Sequence, residues 1–118
     1  MLNSPGWQVD FERELAQAKA ARQTGNEGMA RVCARRAAGI VAGEYLHRHE
    51  PTSVSPGPGA YDRLKYLASL PEISSPVREV AQHFLLRVTT DWALPVEADL
   101  IAEATWLKEA LLDTEPPT

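Results

Sequence analysis

MARVCARRAAGIVAGEYL, residues 29–46, is the stretch on which the fold turns. It contains no proline and no alternation of apolar and polar residues, so it reads as helix from about Asn26 to Leu46. One side of that helix carries Ala30, Ala34, Ala37, Ala38, Gly39, Ala42 and Gly43, with Met29, Cys33, Ile40 and Val41 among them. A glycine inside a helix costs about 1 kcal/mol against alanine. Gly39 and Gly43 together therefore predict a second backbone packed close against this face. Asn26 suits the cap, and Glu27 suits the positive end of the helix dipole.

Upstream, Trp7, Phe11, Leu15 and Ala18 share one face of a helix predicted from about Ser4, its cap, through Pro5 to Gln23. Thr24-Gly25-Asn26 stops it, with Gly25 suited to the left-handed conformation that ends helices. Downstream, EPTSVSPGPGA at 50–60 holds three prolines and two glycines and reads as a loop. A short helix follows from about Ala60 to Leu70, with Tyr61, Leu64, Leu67 and Ala68 on one side, and Pro71 ends it. Ser74-Ser75-Pro76 then opens a helix carrying Val77, Val80, Ala81, Phe84, Leu85 and Val88, predicted to run to about Thr90. The last helix is predicted from near Pro95 to Asp113, burying Leu100, Ile101, Ala104, Leu107 and Leu111. Residues 114–118 form a fraying tail.

These segments predict an all-α fold: an antiparallel bundle of four main helices plus one short helix, in one domain over residues 1–118. Apolar residues make up 44% and charged residues 24% of the chain, as in ordinary globular domains. The net charge of −4 gives no bulk attraction to duplex DNA. Cys33, the lone cysteine, forms neither an internal disulfide nor a cysteine-based metal site. With no leader-like or spanning apolar run, the expectation is a cytoplasmic protein away from membranes, with no cofactor and no metal.

Four groups of residues are weighed for chemistry. His47, Arg48 and His49 close the second helix, where cations complement the negative dipole end. Arg31, Arg35 and Arg36 form a basic stripe, read either as a solvated face or as a phosphate- or RNA-binding patch. Trp7, Trp92 and Trp106 fit core or interface anchors better than base-stacking platforms. The fourth group is Arg78 and His83, spaced R-x4-H. Histidine can act as general acid or base and arginine can stabilise phosphorane-like charge, the pair that metal-free RNA cleavage through the 2′-hydroxyl requires. Residues five apart on an ideal helix differ by about 140° around the axis. The pair therefore diverges within one straight helix, and a dimer interface is what brings two such pairs together.

The order of these segments resembles the HEPN family of small helical bundles across roughly residues 8–113. The resemblance rests on a first helix, the Ala/Arg-rich MARVCARRAAGIVAGEYL, then YDRLKYLASLP, SSPVREVAQHFLLRV and DLIAEATWLKEALL. It implies an up-and-down bundle that usually forms a homodimer, here through the small-residue face or the tryptophan-bearing ends. Many members are metal-independent RNases, often toxins of toxin–antitoxin pairs; others are partner subunits of nucleotidyltransferases or nucleotide-binding modules. The family motif R-x4-6-H maps onto Arg78 as the phosphate-binding group and His83 as the proton-handling group. The residue after the arginine is usually polar, often Asn, Asp or His; here it is Glu79. The resemblance thus implies RNA or nucleotide binding or cleavage, with a non-catalytic helical interaction module as the alternative.

Overall fold

The computed structural model describes residues 6–49, 59–86 and 99–113. Those residues form five helices and no strand: α1 (Gly6–Gln23), α2 (Glu27–His49), α3 (Ala60–Ser69), α4 (Ser75–His83) and α5 (Leu100–Leu111). Three helices, α1, α3 and α5, pack on α2; α4 bridges α3 and α5.

The α1–α2 turn follows from its sequence. Gly25 takes φ 83°, the left-handed region that glycine enters without a Cβ clash. Asn26 N–H then donates to Ala21 C=O at 2.8 Å and Gly25 N–H to Arg22 C=O at 3.0 Å, closing a Schellman motif. Asn26 at once caps the next helix, its Oδ1 accepting from Met29 N–H at 3.0 Å. Helix reversal over three residues makes α1 and α2 an antiparallel pair. α5 runs antiparallel to α1 as well: Asp99 at its start meets Arg22, and Lys108 lies 5.9 Å from the Phe11 ring centroid.

Most residues of the predicted apolar faces are buried, but Met29 on the α2 face is 45% exposed, and Leu111, expected inside, is half-buried while its neighbour Leu112 is buried. Phe11, Leu15 and Ala18 of α1 meet Ala30, Cys33, Ala34, Ala37, Ala38, Val41 and Ala42 of α2 in one core cluster, joined by Leu64, Leu67, Val77, Ala81, Phe84, Leu100, Ile101, Ala104 and Leu107. Trp7 packs half-buried at its edge. Tyr61, placed on an apolar side by its spacing, is 45% exposed instead. The small residues of α2 admit close neighbours on several sides. A Cβ added at Gly39 would strike Ala60, the first residue of α3, coming 2.7 Å from its Cα. The small-residue face considered for dimer contact is thus occupied within the chain. Among the described residues no helix is long and apolar enough to cross a membrane.

Three helix limits differ from expectation by three residues or more, and α5 ends at Leu111, two residues before Asp113. α2 continues to His49, three residues beyond Leu46, because nothing in Tyr45-Leu46-His47 breaks a helix. α4 stops at His83 rather than near Thr90. Its C-cap residue Phe84 is buried, and Arg35 of α2 takes the Phe84 carbonyl at 3.0 Å, a tertiary stop that periodicity cannot reveal. α5 starts at Leu100 rather than near Pro95, with Asp99 as its cap, accepting from Ile101 and Ala102 N–H at 3.2 and 3.3 Å. Ser4, Pro5, residues 50–58, Val88, Thr90, Trp92, Pro95 and the tail 114–118 lie outside the described residues.

Gly39→Ala is expected to destabilise the protein by about 1–3 kcal/mol, because the clash is with backbone that cannot rotate away. Gly43→Ala is the control: its Cβ meets the flexible Arg63 side chain at 3.3 Å and gains up to about 1 kcal/mol of helix propensity. Urea unfolding checks the contrast; equal midpoints for the two variants would remove the close-packing argument.

Candidate functional site

Arg78 projects from the first turn of α4 onto the end of α3. Its Nε donates to Ala68 C=O at 2.9 Å and its Nη2 to Leu70 C=O at 2.8 Å. The end of α3 leaves the Ala68 carbonyl without a partner inside the helix, and the Leu70 carbonyl accepts in addition from Ile73 N–H at 3.3 Å. α4 itself is fixed for this reach by Ser74, whose hydroxyl accepts from Val77 N–H at 3.4 Å, and by Pro76 in the first turn.

His83, at the other end of α4, faces α5. Its Nδ1 lies 2.9 Å from Glu103 Oε1, and its Nε2 lies 3.9 Å from Glu79 Oε2 one turn back. A carboxylate only accepts, so Nδ1 carries the hydrogen of that bond. The His83 side chain is 18% exposed. Arg78 and His83 are thus directed to different neighbours, one to α3 and the other to α5. Glu103 and Glu79 place two carboxylates beside the imidazole, which opposes the approach of a phosphate.

The basic stripe is divided in the same way. Arg35 holds the Phe84 carbonyl. Arg36, exposed, lies 4.0 Å from Glu14 Oε1, an oxygen that is buried without a hydrogen bond. Arg31 is half-buried, and its charge helps keep Glu27 ionised. Arg22 adds a fourth engaged guanidinium, joined to Glu27 at 2.8 Å and to Asp99 at 3.0 Å, so that it ties together the ends of α1, α2 and α5. The Arg22 bond holds the Glu27 carboxyl below its ordinary value. At Asp99 burial pushes upward, but the Arg22 bond and the N–H groups of Ala102 and Ile101 outweigh it and the net direction is down.

At the far end of α2, Arg48 bonds Glu44 at 2.9 Å and stands 5.9 Å from the Trp7 ring centroid, while Tyr45 and His49 stack with centroids 4.1 Å apart. His47 and His49 are exposed there. Cys33 is buried, and desolvation, with the Glu14 charge adding to it, pushes its thiol above the ordinary range, which makes it a poor nucleophile. Among the described residues no three His, Cys, Asp or Glu side chains are grouped to hold a metal ion.

Sequence pattern marked Arg78 and His83 but not Glu103, whose contact with His83 spans 20 residues. The signal that could have found it is positional: Glu103 lies on α5 beside the buried face, where a helix packed against α4 brings it to His83.

Arg78→Ala is expected to lower stability by about 1–3 kcal/mol by stripping the Ala68 carbonyl of its donor and the Leu70 carbonyl of one of its two, measured by urea unfolding. Unchanged stability would remove the capping role. A second expectation concerns acid. Unfolded Glu27 and Asp99 titrate near 4.5 and 3.8, and both are lower when folded. Their contribution is therefore complete above about pH 4.5 and is lost as pH falls through the folded values. These groups are well exposed, so the contribution is below about 1 kcal/mol. Arg22→Gln should lose less stability than wild type between pH 6 and pH 3; parallel losses would contradict the linkage.

No family model, curated protein or solved structure matches the chain. What its own residues establish is a small, compact, all-helical protein.

Proposed function

We infer that this chain works as a non-catalytic helical interaction module, the alternative that its HEPN resemblance includes. The observation that carries this reading is the engagement of Arg78. An RNase of the R-x4-6-H type needs its arginine for phosphate, whereas the Arg78 guanidinium donates to the Ala68 and Leu70 carbonyls. Arg35, Arg36 and Arg22 have similar duties toward Phe84, Glu14 and Asp99. Met29 and Val32, exposed and one turn apart on α2, offer apolar contact for a second copy or for a partner such as a nucleotidyltransferase.

A second reading, an HEPN-like protein that binds or cleaves RNA or nucleotide, is favoured by one observation. Glu103 orients the His83 ring as a general base requires, with hydrogen on Nδ1 and Nε2 left to act. In that reading Arg31, Arg35 and Arg36 would contact phosphate, and a toxin-type RNase would act as a homodimer.

The two are separated by incubating the protein, and its His83→Ala variant, with a mixed single-stranded RNA pool in EDTA. The interaction module leaves the RNA intact and shows no RNA binding by fluorescence anisotropy at 10 µM protein, a concentration of roughly the order at which weak non-specific binders respond. Cleavage by wild type that disappears in His83→Ala would overturn the module and establish the RNase.

A further inference from the structure

The seam between α4 and α5 places two acceptors side by side. Because Nδ1 of His83 donates to Glu103, the neutral imidazole presents a lone pair at Nε2. The neighbouring Glu79 oxygen, 3.9 Å away, is also an acceptor, and that separation is too long for a direct hydrogen bond. One nitrogen carrying several N–H bonds can lie about 2.8 Å from both, the usual length of a charge-assisted bond. A lysine ammonium has that form, and its charge suits Glu79 and Glu103. Glu79 is 74% exposed, so the site is reached from solvent. Trp106 stands one turn beyond Glu103 on α5 and is 39% exposed, an indole beside which the alkyl stem of the lysine can lie.

We propose that Nε2 of His83 and the Glu79 carboxylate, with Glu103 fixing the ring, form a docking site for a lysine side chain of a partner protein. The proposal rests on the interaction-module reading and names the chemistry of its partner. The net charge of −4 acts in the same direction, favouring a basic partner segment over an acidic one.

The test is long-range proton–nitrogen NMR of the His83 ring at pH 8.5, above the ordinary histidine range. The probe is acetyl-tetralysine-amide, with acetyl-tetraglutamate-amide as control at equal ionic strength. The expected results are hydrogen on Nδ1 in the unliganded protein and a saturable Nε2 shift with tetralysine alone. Glu79→Gln, at an exposed position that leaves the fold intact, should bind roughly fivefold more weakly, the effect of one partly exposed charge-assisted bond. Hydrogen on Nε2, no saturable shift, or equal affinity in Glu79→Gln would overturn the proposal. So would n-butylammonium binding as tightly as the peptide, which would assign the site to a free amine. Any of these failures leaves the module reading standing if RNA stays uncut; RNA cleavage dependent on His83 removes that reading whatever the peptide does.

Discussion

Three helices can gather around α2 because its side chains are short. Ala30, Ala34, Ala37, Ala38 and Ala42 are fully buried, and at Gly39 the start of α3 comes within a distance that excludes a Cβ. Close approach brings many atoms into dispersion contact although each side chain contributes little area. It also determines where the larger residues must be. Phe11, Leu15, Leu64, Leu67, Phe84 and Leu107 come from the surrounding helices, and they fill the space that the alanines leave.

The same crowding accounts for what the arginines do. Short helices leave terminal carbonyls near the core, where water cannot reach them easily and an unpaired acceptor is expensive. Arg78 supplies donors at the end of α3 and Arg35 at the end of α4. Residues that look like phosphate ligands in a one-dimensional pattern are drawn into holding the bundle closed. Arg22 does related work on the other side, through carboxylates on α2 and at the start of α5.

How far the sequence disclosed this depends on the range of the interaction. The α1–α2 turn was legible because Gly25 and Asn26 act within a few residues, and the apolar faces were legible because burial follows helical spacing. The end of α4 was not, since Phe84-Leu85-Leu86 continues the apolar pattern and the stop comes from Arg35, 49 residues away. The start of α5 was legible in principle: Asp99 is a good cap, but Pro95 gave an earlier and competing start signal. At the candidate site, spacing marked Arg78 and His83. It carried no information about their directions, because those depend on α3 and α5, and it passed over Glu103 altogether.

The alanine face of α2 also makes the protein's tolerance of mutation lopsided. At a leucine-built core, substitutions shrink side chains and open holes; here most inward positions of α2 have one methyl to lose. Nearly every accessible codon change instead enlarges the residue and meets a neighbouring helix already in contact. Drift in the interior of such a chain therefore falls mainly on the outer helices, which can exchange one bulky side chain for another, while the alanine and glycine positions of α2, unlike its Val41 and Leu46, stay within the alphabet of glycine, alanine, serine and cysteine.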